Sequence, residues 1–137
     1  MKQIIPYLNF DGDCKAAMTF YAKCLGGELV TMPFGDMPGG GGKSAPDRLM
    51  HANISLKGQQ VLMASDTMPG QPRTAGTNFS ISLMPESVEE IERLFAAFSE
   101  NAKVEMPLAD QFWGAKFGTL TDQFGVQWMF NYEYPKK

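Results

Sequence analysis

Val30-Thr31-Met32-Pro33-Phe34-Gly35-Asp36 returns 74 residues later as Val104-Glu105-Met106-Pro107-Leu108-Ala109-Asp110, with four of seven letters unchanged. The same offset lays Ala17, Phe20, Tyr21 and Cys24 over Ile91, Leu94, Phe95 and Phe98, an apolar stripe at helical spacing in both copies. The chain therefore reads as one half written twice. Module 1 covers about 1–67, a linker rich in Pro and Gly about 68–77, and module 2 about 78–134.

Each copy has the same order of elements. Residues 3–10 read as a strand, Asp11-Gly12-Asp13 supplies a turn and an N-cap candidate, and a helix over about 14–25 stops at Gly26-Gly27. A second strand covers Glu28–Phe34, followed by a Gly- and Pro-rich loop over Gly35–Asp47. Leu49–Leu56 alternates cleanly, with Met50, Ala52, Ile54 and Leu56 on one face and His51, Asn53 and Ser55 on the other. Lys57-Gly58 turns it tightly into Gln59–Ser65. The second copy runs as a strand over Phe79–Met84, a helix from the capping-box pattern Ser87-Val-Glu-Glu90 to about Ser99, and strands over Lys103–Leu108, Trp113–Thr121 and Val126–Tyr132. Each module is thus βαβββ. One helix with one apolar stripe must cover one face of an antiparallel-rich sheet, which makes the class α+β.

With 137 residues the chain has the size of a single domain, and 44% hydrophobic with 20% charged residues is ordinary globular composition. No apolar run reaches the roughly 20 residues of a membrane helix, and the N-terminus carries no secretory pattern, so a cytoplasmic protein without membrane contact is expected. A net charge of −3 with scattered Lys and Arg excludes a basic footprint for nucleic acid. Cys14 and Cys24 fall ten residues apart on one helix, about 15 Å along its axis, too far for a disulfide. Gly39–Gly42 before Lys43-Ser44 imitates a phosphate loop but lacks the required first Gly, since that position is Met37, and Pro46 follows where a helix should begin. A loop, and a candidate lid, is the expectation there.

Phe20-Tyr-Ala-Lys-Cys-Leu-Gly-Gly27 resembles the helix end of the vicinal oxygen chelate superfamily of glyoxalases, bleomycin resistance proteins and extradiol dioxygenases, and Phe117–Gly125 resembles its second-module hairpin. Pro6–Phe10, Met50-His-Ala52, Ala64-Ser-Asp66, Phe112-Trp-Gly114 and Asp122–Met129 are similar to the PhnB-like branch. The resemblance implies two βαβββ modules forming a curved mixed sheet around a cleft, usually in a homodimer. Some relatives carry a methyltransferase label, but no G-x-G-x-x-G follows a strand here to hold a methyl-donor nucleotide. The family's metal sits on the first and last strands of each module. Those positions carry over to Ile5 or Pro6, Met63, Ser80 and Met129. None is a usual ligand for a hard divalent metal. The expectation is a scaffold without metal or other cofactor.

Strand phase then nominates the lining of the cleft. Gln127, Met129 and Asn131 oppose Trp128, Phe130 and Tyr132, while Ser80 and Ser82 oppose Phe79 and Ile81. With His51, Asn53, Met63, Asp66, Trp113 and Phe117 they suit a small, partly apolar ligand. His51 is the only histidine and so the best candidate for a base. Structural alternatives stand beside these readings: His51 bonded across the sheet, Asp66 as a turn cap, Asp122 as a hairpin brace. Two functions follow: a metal-free protein binding a small organic molecule in the cleft, or a lyase, isomerase or dioxygenase-type enzyme. The enzyme would use His51 as base or a metal site not recognised in the sequence.

Overall fold

A half-buried strand hides every second side chain, and a helix laid on the hidden side must offer a stripe at three- and four-residue spacing. The computed structural model, described over residues 1–34 and 48–136, meets both conditions twice. The stretch 35–47, with the Gly39–Gly42 run and its lid expectation, lies outside the described residues. The chain divides into two compact units, Met1–Thr74 and Ala75–Lys137.

The first unit contains β1 (Tyr7–Phe10), α1 (Cys14–Leu25), β2 (Glu28–Pro33), β3 (Leu49–Leu56) and β4 (Gln59–Asp66). Its sheet has the order β1-β4-β3-β2, with β1 parallel to β4 and the other pairs antiparallel. Helix α1 buries Cys14, Ala17, Met18, Tyr21 and Cys24 against β2, β3 and β4. Phe20, expected in that stripe, is half-buried, and Met18 takes its place. The two glycines that end the helix do different work. Gly26 adopts the left-handed cap conformation at φ +70°, whereas a Cβ on Gly27 would stand 2.7 Å from Ile54 Cγ2.

The second unit repeats the plan with β5 (Ile81–Leu83), α2 (Val88–Phe98), β6 (Lys103–Gln111), β7 (Ala115–Thr121) and β8 (Gln127–Glu133), in the order β5-β8-β7-β6. Helix α2 lays Ile91, Leu94 and Phe98 onto the sheet, where the Phe98 ring lies 4.7 Å from that of Trp128 and Phe95 meets Phe130 edge-on. Ser87 caps α2 by accepting the Glu90 N–H. The reciprocal arm of the box reaches one residue further back than the motif expects, with Glu90 Oε1 accepting from Glu86 N–H at 2.8 Å.

The repeated Met-Pro falls at the same place in both units: an edge strand, at a break in register. Pairing shifts between Met32 and Pro33 and again between Met106 and Ala109. Proline cannot donate to a ladder, so only an edge strand tolerates it. The same chemistry trims strand 1, expected over 3–10, to begin after Pro6, whose carbonyl still accepts from Met63 N–H. Strand 5 is shorter than 79–84, with Pro85 beyond its end and Phe79 and Ser80 exposed before its start. Strand 7 begins at Ala115, because Phe112-Trp113-Gly114 forms a three-residue hairpin turn closed by Gly114 at φ +88°.

Two buried carboxylates brace the units. Asp66 accepts N–H bonds from Gly12 (2.6 Å), Cys14 (3.1 Å) and Leu49 (2.8 Å). It thus caps α1, a role expected of Asp11 or Asp13; Asp13 sits at the cap position but makes no side-chain cap bond. Asp122 accepts from Phe124 N–H, Val126 N–H and the Trp128 indole, the hairpin brace that Asp-x-x-Gly suggests. Among the described residues no helix is long and apolar enough to cross a membrane.

Asp66→Ala leaves three backbone donors, two of them buried, without an acceptor and is expected to lower stability by about 3 kcal/mol, with Asp66→Asn milder, as read from urea unfolding. Cys14 is buried beside Asp66 and Asp13, and burial first, then those two negative charges, push its thiol up to about 12. Being neutral when folded, the thiol contributes stability that is present below an unfolded thiol's value of about 8.5 and lost as pH climbs toward 12. At pH 8, Ellman's reagent should leave the native protein unlabelled and titrate both cysteines after denaturation.

Candidate functional site

Each sheet turns one face to its helix, and the opposite, open face carries the polar and thioether side chains. In the first unit, pairing aligns Tyr7, Met63, Asn53 and Val30 in one row across four strands. The neighbouring positions hold Asn9 opposite Ser65 and Met32 opposite His51. Leu8, Phe10, Ala52, Ile54, Leu62 and Ala64 are the buried counterparts. Sequence alternation had placed His51, Asn53 and Ser55 on a common face, and the structure puts Met63 with them.

His51 is held from two strands away. Its Nδ1 lies 3.0 Å from the Tyr7 hydroxyl and the rings are 5.7 Å apart, so the pair reaches across β4 from β3 to β1. Tyr7, Asn9 and Met32 were missed in the sequence reading. The signal was available: Tyr7-Leu8-Asn9-Phe10 alternates, and only Leu8 and Phe10 are buried.

Asp66 does not belong to this face. It shares the buried side of β4 with Leu62 and Ala64, and both its oxygens are engaged by backbone N–H groups. A polar residue ending a strand looked like a ligand contact, and a long-range capping role has no local signature.

On the second unit, Ser82, Met129, Thr119 and Met106 form the corresponding row, with Phe117 opposite Asn131 and Thr121 opposite Gln127. Trp128 and Phe130 point to the helix, as alternation requires. Several polar groups here already have partners: Thr121 donates to Glu105, Gln127 to the Gly76 carbonyl, and Ser82 and Asn131 both approach the Met84 sulfur. Trp113 packs edge-on against Phe117 at 5.8 Å, extending this face to the β6–β7 turn, where Phe112 is 97% exposed. Ser80 is exposed ahead of β5 and lies outside the row.

Strand register also relocates the positions at which the resemblance places a metal. Beside Met63 stands Tyr7, not Ile5 or Pro6, and beside Met129 stands Ser82, not Ser80. A phenol, an alcohol and two thioethers do not fit a hard divalent cation. Among the described residues no three His, Cys, Asp or Glu side chains come together.

Comparison with known proteins matches residues 3–130 to the Glyoxalase/Bleomycin resistance protein/Dioxygenase superfamily. Protein YjdN of Escherichia coli is 38% identical, with 92% of each chain covered. Among solved structures, protein PA1353 from Pseudomonas aeruginosa shares 45% identity at a TM-score of 0.86, covering 97% of this chain and 98% of that one. The PhnB protein from Bacillus cereus shares 28% at 0.77, covering 96% and 99%.

The two tryptophans report on opposite sides of the second sheet, Trp128 being 1% exposed and Trp113 51%. Trp113→Phe should remove the iodide-quenchable fluorescence and leave a blue-shifted, quencher-resistant emission from Trp128.

Proposed function

Because the chain belongs to the Glyoxalase/Bleomycin resistance protein/Dioxygenase superfamily and has the PhnB protein among its structural neighbours, we propose that it keeps the scaffold for binding a small organic molecule without a metal. The observation that carries this reading is the donor set of the two rows, Tyr7–Met63 and Ser82–Met129, which replaces coordinating imidazole and carboxylate by neutral hydrogen-bonding and thioether groups. Thioethers give an adaptable apolar surface, and the hydroxyl, amide and imidazole groups beside them give direction. On the open face of each sheet, taken by itself, the side chains offered to a ligand are His51, Asn53 and Met63 in the first unit and Ser82, Phe117, Gln127, Met129 and Asn131 in the second. A cytoplasmic location fits the two unbridged, buried cysteines. A homodimer fits the apolar side chains left exposed at Val30, Met32, Met106 and Phe112.

One observation favours an enzymatic alternative. Were Nδ1–H to donate to the Tyr7 hydroxyl, Nε2 would be left unprotonated and oriented, as a general base requires. On that alternative His51→Ala abolishes turnover, whereas on the binding reading it only weakens ligand affinity.

Elemental analysis of protein purified without chelator should find no stoichiometric divalent metal; one metal per chain would overturn the metal-free reading. A thermal-shift screen of metabolites and xenobiotics should yield a ligand that raises Tm by about 8 °C at roughly a hundred-fold excess over Kd. Light scattering should return twice the chain mass.

A further inference from the structure

We infer that the open face of the first sheet recognises an sp2 oxygen, a carbonyl or carboxylate carried on a small organic molecule, with the Nε2–H of His51 as principal donor. The inference rests on the small-molecule reading above and adds the chemical class of group that this face takes.

The Tyr7–His51 contact favours one tautomer. A phenol is a better donor than acceptor, so at 3.0 Å its hydroxyl donates to Nδ1, and the single proton of the neutral imidazole then sits on Nε2. Protonating the ring keeps that N–H in place. The Tyr7 oxygen merely changes from donor to acceptor, so His51 presents an outward donor in either state.

The surroundings favour an oxygen acceptor over other partners. Asn9, Ser65 and Asn53 share the face with His51, and among the described residues their side chains make no hydrogen bond, nor has the imidazole a partner besides Tyr7. Among the described residues negative charge is kept away. Asp66 faces the interior, and Asp11 is paired with Arg48 at 3.0 Å. Glu28 is aligned with Ser55, four residues along β2 from the Met32–His51 pair, or about 13 Å at strand spacing. Among the described residues no Lys or Arg is on the rows of this face, and Arg48 is committed to Asp11 and Thr67. A carbonyl or carboxylate can meet such donors, whereas a phosphate would call for fixed cations and an ammonium for carboxylates. The second sheet differs, since its Ser82, Thr121, Gln127 and Asn131 are already engaged around Met84, Glu105 and Gly76.

One histidine in the chain makes the test direct, because long-range proton–nitrogen NMR of the full protein shows a single imidazole. In the free protein Nδ1 should appear pyridine-like and Nε2 pyrrole-like, and Tyr7→Phe should mix the two tautomers. Phenylacetate and phenylacetamide should shift Nε2 of His51 and the side-chain amides of Asn9 and Asn53, with toluene leaving them unmoved. Tyr7→Phe and His51→Ala should each weaken the two oxygen-bearing probes by about three- to ten-fold, the worth of one hydrogen bond. A pyridine-like Nε2, or shifts that toluene reproduces, would overturn the inference. Shifts confined to Met129 and Phe117 would overturn it while leaving small-molecule binding intact. Silence of both faces, together with an empty thermal-shift screen, would remove both.

Discussion

One carboxylate sets the phase of the first sheet. Asp66 joins the last position of β4 to the first turn of α1 and the first residue of β3 through three backbone donors. Burying an unpaired carboxylate is costly, and these N–H groups, two of them at a helix N-terminus, offset the loss of water. With Asp66 locked inward, alternation turns Ser65 and Met63 outward. A slip of one residue in β4 would bury Met63 and expel Leu62 and Ala64. The composition of the open face thus depends on a residue that is not part of it.

The second unit solves the same problem with different parts. Ser87 and Glu90 cap α2 locally, which leaves Asp122 to brace the β7–β8 hairpin and to satisfy the indole of Trp128. The large aromatic pair Phe98–Trp128 occurs where the first unit has Cys24 on its helix and Leu62 on β4. Duplication preserved the strand order and the Met-Pro edges, while the polar bracing and the core volumes diverged. The edges are the more constrained feature, since an unpaired strand invites pairing with another chain and a proline at a register break blocks its continuation.

Features governed by local periodicity were legible in the sequence: the ten elements of the described residues, with one helix to each sheet among them, the inward turn of Trp128 and Phe130, and the outward turn of His51, Asn53 and Met129. Relations spanning many residues were not. The parallel pairing of β1 with β4 joins Tyr7 to Met63, 56 positions apart, and no motif announces it. That pairing brings a phenol to His51 and displaces Ile5 and Pro6 from the row they were expected to join, as the parallel β5–β8 pairing displaces Ser80. Asp66 was misplaced for a related reason. A carboxylate at a strand end has the same local pattern whether it meets a ligand or a helix N-terminus 52 residues away.

On the proposed reading, a change from coordination to hydrogen bonding alters what such a scaffold can discriminate. A divalent cation attracts any suitably charged oxygen pair and owes its selectivity to geometry around the ion. Where imidazole, amide, hydroxyl and thioether groups meet the ligand in place of a cation, on the proposed reading selectivity comes from matching donors to acceptors. Such matching is strongest where an unmatched polar group is buried. On the first sheet His51, Asn53, Met63 and Ser65 are half-buried while Tyr7 and Asn9 are exposed. Discrimination should therefore be steepest at the oxygen met by His51 and fall away toward β1, where water can replace whatever the ligand fails to offer.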